Sequence, residues 1–189
     1  MGTTSQRCWD RLGENGLVII AIDGVDGVGK TTLANALEAD GFAAISANLY
    51  RPLPLPIQVR HWSDIPIMGV ARKFGGDIVL DRSIVSVLAY NYGQVYDNSI
   101  EVFNALIPFF SWYSEGVEFF FLKVDAPEQI WKRAKTFDSN FGDWVRDDQL
   151  FRDIYGIIGA SVTVLNASDS TETNVKKIKD KTNVHFLGS

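Results

Sequence analysis

One cysteine, Cys8, and two histidines among 189 residues leave little redox or metal chemistry open to this chain. A lone thiol cannot close an intramolecular disulfide, and a cysteine-based metal cluster needs several. A reducing cytoplasm fits that usage. His61 and His185 lack metal-ligand spacing. Long apolar runs are missing too, since none approaches the roughly 20 residues of a membrane-spanning helix. The N-terminus has no charged segment leading into an apolar core of signal-peptide length. The chain is therefore expected to be cytoplasmic, with no membrane partner. Basic charge is not in excess either. With 18 Lys and Arg against 23 Asp and Glu, the net charge is −5, which argues against a protein that coats nucleic acid electrostatically. The cluster Lys176, Lys177, Lys179 and Lys181 reads as a solvated helix face.

What is present is the material of one globular domain. Hydrophobic residues at 46% and charged ones at 22% are ordinary proportions for a soluble fold, and the length supports one α/β domain rather than two. Residues 1–16 read as a flexible lead-in and 17–189 as the domain. Residues 17–22 form a continuous apolar run, the pattern of a strand buried on both faces. Further strands are predicted over 42–47, 77–80, 119–124 and 161–165. Helices are predicted over 30–40, 67–74, 84–92, 101–113, from Pro127, over 147–158 and over 171–180. Residues 50–66 carry Pro52, Pro54, Pro56 and Pro66 and read as an irregular, substrate-facing segment. This alternation predicts a three-layer α/β fold, a five-stranded mostly parallel sheet flanked by helices.

The chemistry concentrates after the first strand. Gly24, Val25, Asp26, Gly27, Val28, Gly29, Lys30 and Thr31 fit G-x-x-x-x-G-K-[ST] at every fixed position, with Thr32 following. Glycines let backbone N–H groups converge on phosphate oxygens, and the helix starting at Lys30 adds its positive end. Lys30 is expected on the β- and γ-phosphates and the Thr31 hydroxyl on magnesium. The arrangement predicts a P-loop NTPase fold with ATP and Mg2+ as cofactors. Asp81 closes the apolar strand Ile78-Val79-Leu80, the position of a second magnesium-linked carboxylate. Arg82 then stands at the sheet edge where ligands bind in open α/β folds.

These residues resemble a family. Asp23 to Thr32, with an acid inside the loop, is similar to the phosphate loop of thymidylate kinases. Asp81-Arg82-Ser83, followed by Ser86 and Ala89-Tyr90-Asn91, resembles that family's Asp-Arg motif. The stretch from Val124-Asp125-Ala126-Pro127 to Lys132-Arg133-Ala134 resembles the strand and helix leading into its lid, for which 136–146 is the candidate. Related deoxynucleoside kinases share the Arg-Ser pair. The resemblance implies that Asp26 touches the acceptor's sugar and Arg82 its phosphate or the transferring group. Asp81 would sit at the metal or the acceptor, Arg133 near the donor adenine, and Tyr90 or Asn91 near the acceptor base. Arg51 would replace the family's phosphate-gripping arginine. The family also dimerises through helices beside the sheet, and Phe109 to Tyr113 offer apolar material for a homodimer.

From Gly24 to Asp81 the chain advances 57 residues, short for that family, and the shortfall falls in the acceptor site. Two acceptors therefore stay open. A nucleoside monophosphate, already ionised, needs arginines such as Arg51 and Arg82. A hydroxyl, on a nucleoside or on a hydroxymethylated base in DNA, needs a carboxylate such as Asp81 or Asp23 to take its proton. Trp62, Phe137, Phe141 and Trp144 would suit stacking on splayed bases or core packing. A non-catalytic nucleotide switch is the remaining class. The guanine-reading Asn-Lys-x-Asp of GTPases does not occur.

Overall fold

A computed structural model describes residues 18–46, 77–93, 110, 114, 116–133 and 140–184. The lead-in at 1–16, the proline-rich segment with Arg51, the helix expected over 67–74 and most of 101–113 lie outside the described residues.

Five strands form the sheet: β1 (Ile19–Asp23), β2 (Ala43–Ser46), β3 (Ile78–Asp81), β4 (Val117–Lys123) and β5 (Val162–Asn166). Their spatial order is β2-β3-β1-β4-β5, and every pairing is parallel. The helices are α1 (Lys30–Ala39), α2 (Ile84–Gly93), α3 (Pro127–Arg133), α4 (Phe141–Ile158) and α5 (Thr171–Val184). The connection from β1 to β2 crosses the sheet in one direction and that from β3 to β4 in the other. Right-handed crossovers therefore put α1 and α2 on opposite faces. α1 packs with α5, and α2 with α4.

This layering explains the apolar runs. Every residue of β1 and of β3 is buried, because helices cover both sides. On β4 the rings of Phe119 and Phe121 meet Tyr155 of α4, and Phe121 also stacks on Phe151 at 6.0 Å. Phe110 lies in this core against Phe119, with ring centroids 5.6 Å apart. It is thus core material; Phe109 and Ser111 to Tyr113 lie outside the described residues. Among the described residues no helix is long and apolar enough to cross a membrane.

Two helix boundaries lie four or more residues from expectation. α4 begins at Phe141 rather than 147, because Asn140 caps it: its side chain accepts from Asp143 N. The end of the candidate lid, 141–146, is therefore the first turns of a packed helix. α5 continues to Val184 rather than 180, held by Ile178 (0% exposed) and the buried Thr182, whose hydroxyl donates to Ile178 O at 3.0 Å.

Register places the site. Ile22 pairs with Asp81 and Asp23 with Phe121, so Asp81-Arg82 lies directly beside the start of the glycine-rich loop. Gly24 is at φ 145, and a Cβ there would come within 2.7 Å of Leu122 O on β4. This glycine is required by close approach to a neighbouring strand as well as by its backbone angle. Gly24→Ala is expected to destabilise the protein by about 3 kcal/mol in urea unfolding, and an unchanged midpoint would contradict this packing.

Candidate active site

The phosphate loop has an apolar underside and an open top. Val25 and Val28 are buried in the core, while Asp26, Gly27, Thr31 and Thr32 are exposed. The buried valines anchor the loop from beneath, with Asp26 and Gly27 on its solvent side.

Lys30, the first residue of α1, is buried, and its Nζ donates to Val25 O at 2.6 Å. Burial, helped by the Arg82 cation, pushes its pKa down to about 7 against the opposing pull of Asp26, Asp81 and Asp23. Thr31 Oγ1 donates to Asp81 Oδ2 at 2.5 Å, bridging α1 and β3. The two residues expected at the metal are therefore adjacent. Both present hard oxygens, the kind magnesium takes when it binds between one or two protein ligands and substrate phosphates. Among the described residues no three His, Cys, Asp or Glu are grouped to hold a metal by themselves.

Arg82 is the one non-glycine residue at positive φ among the described residues, at 85°. Side chains disfavour that region, and such strain persists only where surroundings enforce it. Here the Arg82 N–H donates to Ile22 O at 3.0 Å and the next N–H, of Ser83, donates to Asp23 Oδ1 at 2.9 Å. The enforced turn sends the guanidinium back over the loop, where it pairs with the Asp26 carboxylate.

Asp23 corrects an expectation. Its carboxylate is 0% exposed and accepts from Ser83 N, Ser83 Oγ, Ser86 Oγ and Tyr155 OH, at 2.9, 2.5, 2.5 and 2.8 Å. Four donors occupy the roughly four lone-pair positions of a carboxylate. Asp23 therefore does not face an acceptor or collect its proton; it ties β1 to α2 and α4 and holds the Arg82 turn.

On the other side, the turn after β4 is joined to the loop after β5. Asp125 Oδ1 accepts from Ser168 N at 3.0 Å, and its other oxygen accepts from Ser168 Oγ. Arg133 donates to Ala167 O in the same loop at 3.2 Å. Partial burial of Asp125 raises its pKa, yet the Ser168 hydrogen bonds outweigh this and leave it below the usual carboxylate value. Tyr90 and Asn91 belong to α2, and their side chains, like Arg51, lie outside the described residues.

No family model and no curated protein sequence matches the chain. Solved structures do. The YorR protein from Bacillus subtilis, in complex with phosphorylated GDP, superposes with a TM-score of 0.65 at 15% identity, covering 91% of this chain and 99% of that one. Deoxyadenosine kinase from M. mycoides with bound dATP gives 0.61 at 16% identity, covering 88% and 100%. Thymidylate kinase from Candida albicans gives 0.58 at 20%, covering 89% and 93%. The fold is that of the P-loop kinases.

Within this P-loop kinase fold, α4 contributes residues whose role the sequence left open. Trp144, Asp148, Phe151 and Tyr155 are buried along one face, at the i, i+4, i+7, i+11 spacing of a helix stripe. Trp144 Nε1 donates to Asp26 O at 2.7 Å. Asp148 Oδ1 accepts from Val124 N at 2.9 Å, while Oδ2 pairs with Arg152. The signal was an aspartate inside an apolar stripe. Trp144 is 1% exposed, so stacking on a splayed base is excluded for it. Phe141 is exposed, at 39%. The lysine face of α5 is partly neutralised, with Lys177 bound to Asp169 at 2.6 Å and Lys179 to Asp40 at 2.7 Å.

The buried lysine fixes a pH dependence. In the unfolded chain Lys30 titrates near 10.5 and in the folded protein near 7. Between those values the unfolded state holds a proton that the native state does not, so stability rises with pH. Relative to Lys30→Met, the wild type is expected to gain about 2 kcal/mol between pH 7 and pH 9 in urea unfolding. A constant difference between the two proteins would overturn this.

Proposed function

We propose that the chain is an ATP- and Mg2+-dependent phosphotransferase that moves the γ-phosphoryl group to a deoxynucleoside monophosphate. The observation that carries this reading is the convergence of Lys30, Thr31, Asp81 and the Arg82–Asp26 pair at one loop.

Each residue then has a defined task. The loop N–H groups bind the donor's phosphates, and Lys30 exchanges Val25 O for a phosphate oxygen. That exchange favours its charged form, because an anion replaces a carbonyl beside a buried amine. Thr31 and Asp81 would hold magnesium, which when bound neutralises charge on the transferring group. Arg82 leaves Asp26 for the acceptor's phosphate or the transferring phosphoryl. The acceptor oxygen forms the new P–O bond as the bond from γ-phosphorus to the bridging oxygen breaks, releasing the nucleoside diphosphate. An ionised monophosphate brings no proton to remove, and this suits a site in which Asp23 is already engaged by four donors. Arg133 and the loop carrying Ala167 and Ser168 would border the donor adenine.

A hydroxyl acceptor, on a deoxynucleoside or on a hydroxymethylated base in DNA, is the second reading. It draws on the likeness to deoxyadenosine kinase, whose TM-score matches or exceeds that of the thymidylate kinase. In that chemistry Asp81 would take the hydroxyl proton.

The test is transfer of labelled γ-phosphate in parallel to deoxynucleosides, deoxynucleoside monophosphates and DNA bearing hydroxymethylated bases. Label is expected on a monophosphate. Lys30→Ala should lower the rate by about 100-fold or more while remaining folded. Full activity in that variant would overturn the kinase assignment, and labelled DNA with silent mononucleotides would overturn the acceptor.

A further inference from the structure

A buried indole N–H needs an acceptor, and Trp144 finds its acceptor in the phosphate loop rather than within the core. Its indole is 1% exposed, and Nε1 donates to the backbone oxygen of Asp26, the third residue of the phosphate loop, at 2.7 Å. The Asp26 carboxylate is engaged separately, by Arg82. A trans peptide is planar, with its C=O and the following N–H pointing in opposite directions. Holding the Asp26 carbonyl toward α4 therefore turns the Gly27 N–H away from α4.

Gly27 sits at φ 78. Glycine reaches positive and negative φ with comparable ease, so the Asp26–Gly27 peptide can flip at little cost, and its own backbone does not choose. The indole does, and it is itself held firmly. Trp131 of α3 meets it edge-on at 5.4 Å, and Phe141 stacks at 6.3 Å. One turn further along α4, Asp148 is bonded to Val124 N at the end of β4. The donor is thus fixed to the sheet rather than to the loop it controls.

We propose that Trp144 is a positioning residue for phosphoryl transfer, locking the Asp26–Gly27 peptide with the Gly27 N–H aimed at the bound polyphosphate. The inference rests on the phosphotransferase reading and adds to it a control on the loop supplied from α4. The donor-binding loop is preorganised by an indole remote in sequence, and losing the indole N–H weakens the polyphosphate contact specifically.

The experiment replaces Trp144 by benzothienylalanine, which exchanges the N–H for sulfur in the same ring volume, alongside Trp144→Phe. Calorimetric titration with magnesium uses two probes, the non-hydrolysable ATP analogue AMP-PNP and inorganic tripolyphosphate. Both are expected to bind the isostere roughly tenfold more weakly than the wild type, with ligand-free urea stability little changed. The Gly27 amide resonance should shift in the ligand-free isostere, a readout that a purely packing role would leave in place. Equal affinity in wild type and isostere would overturn the lock alone. Weakened AMP-PNP with unaltered tripolyphosphate would also overturn it, because the effect would then lie outside the phosphates. A wild type that binds neither probe would overturn both the lock and the phosphotransferase reading.

Discussion

The buried carboxylate of Asp23 is the constraint on which the rest of the site depends. A charge with no exposure is tolerated only when hydrogen-bonded, and its four donors come from the β3–α2 turn, from α2 and from α4. Those bonds compel the elements carrying them to meet at the end of β1. They also account for the strained Arg82, since the Ser83 N–H can reach Asp23 only if the chain turns sharply after Asp81. A single acid at a strand end therefore sets the direction of the guanidinium that overhangs the phosphate loop.

α4 serves as a ruler laid across the strand ends. Along its buried face, Tyr155 meets Asp23 of β1, Asp148 meets Val124 beyond β4, and Trp144 meets Asp26 inside the loop. Phe151 between them stacks on Phe121, so apolar packing supplies the adhesion and the polar groups supply the register. At its first turns the helix also shapes the local field. Burial raises the Asp147 pKa, and the carboxylates of Asp143 and Asp26 add to this against Arg146. Negative charge thus gathers beside a loop suited to anions, and the Arg82 guanidinium, paired with Asp26, supplies the opposing cation.

Much of this was legible in the chain. The apolar runs of β1, β3 and β4 and the glycine spacing point to a parallel sheet with a phosphate loop, because a strand buried on both faces has to be continuously apolar. Thr31 and Asp81 were each assigned to magnesium from the sequence; that their side chains meet across 50 residues is seen only in the fold. Asp23 was misread as facing the acceptor, because a carboxylate at a strand end looks the same in sequence whether it meets solvent or four donors. Trp144 was left between base stacking and core packing, because an aromatic residue carries no mark of which surface it will meet.

The sequence by itself determined the local chemistry: which backbone bends around phosphate, which strand ends in an acid, and which helix carries an apolar stripe. Those features depend on neighbours a few residues away, within reach of glycine geometry and helical periodicity. Only the tertiary structure decided that Asp23 turns inward, that Arg82 adopts a left-handed backbone to overhang the loop, and that Trp144 grips the loop's peptide. The contact between Trp144 and Asp26 spans 118 positions in the chain, and no local pattern encodes which distant donor will satisfy a given carbonyl.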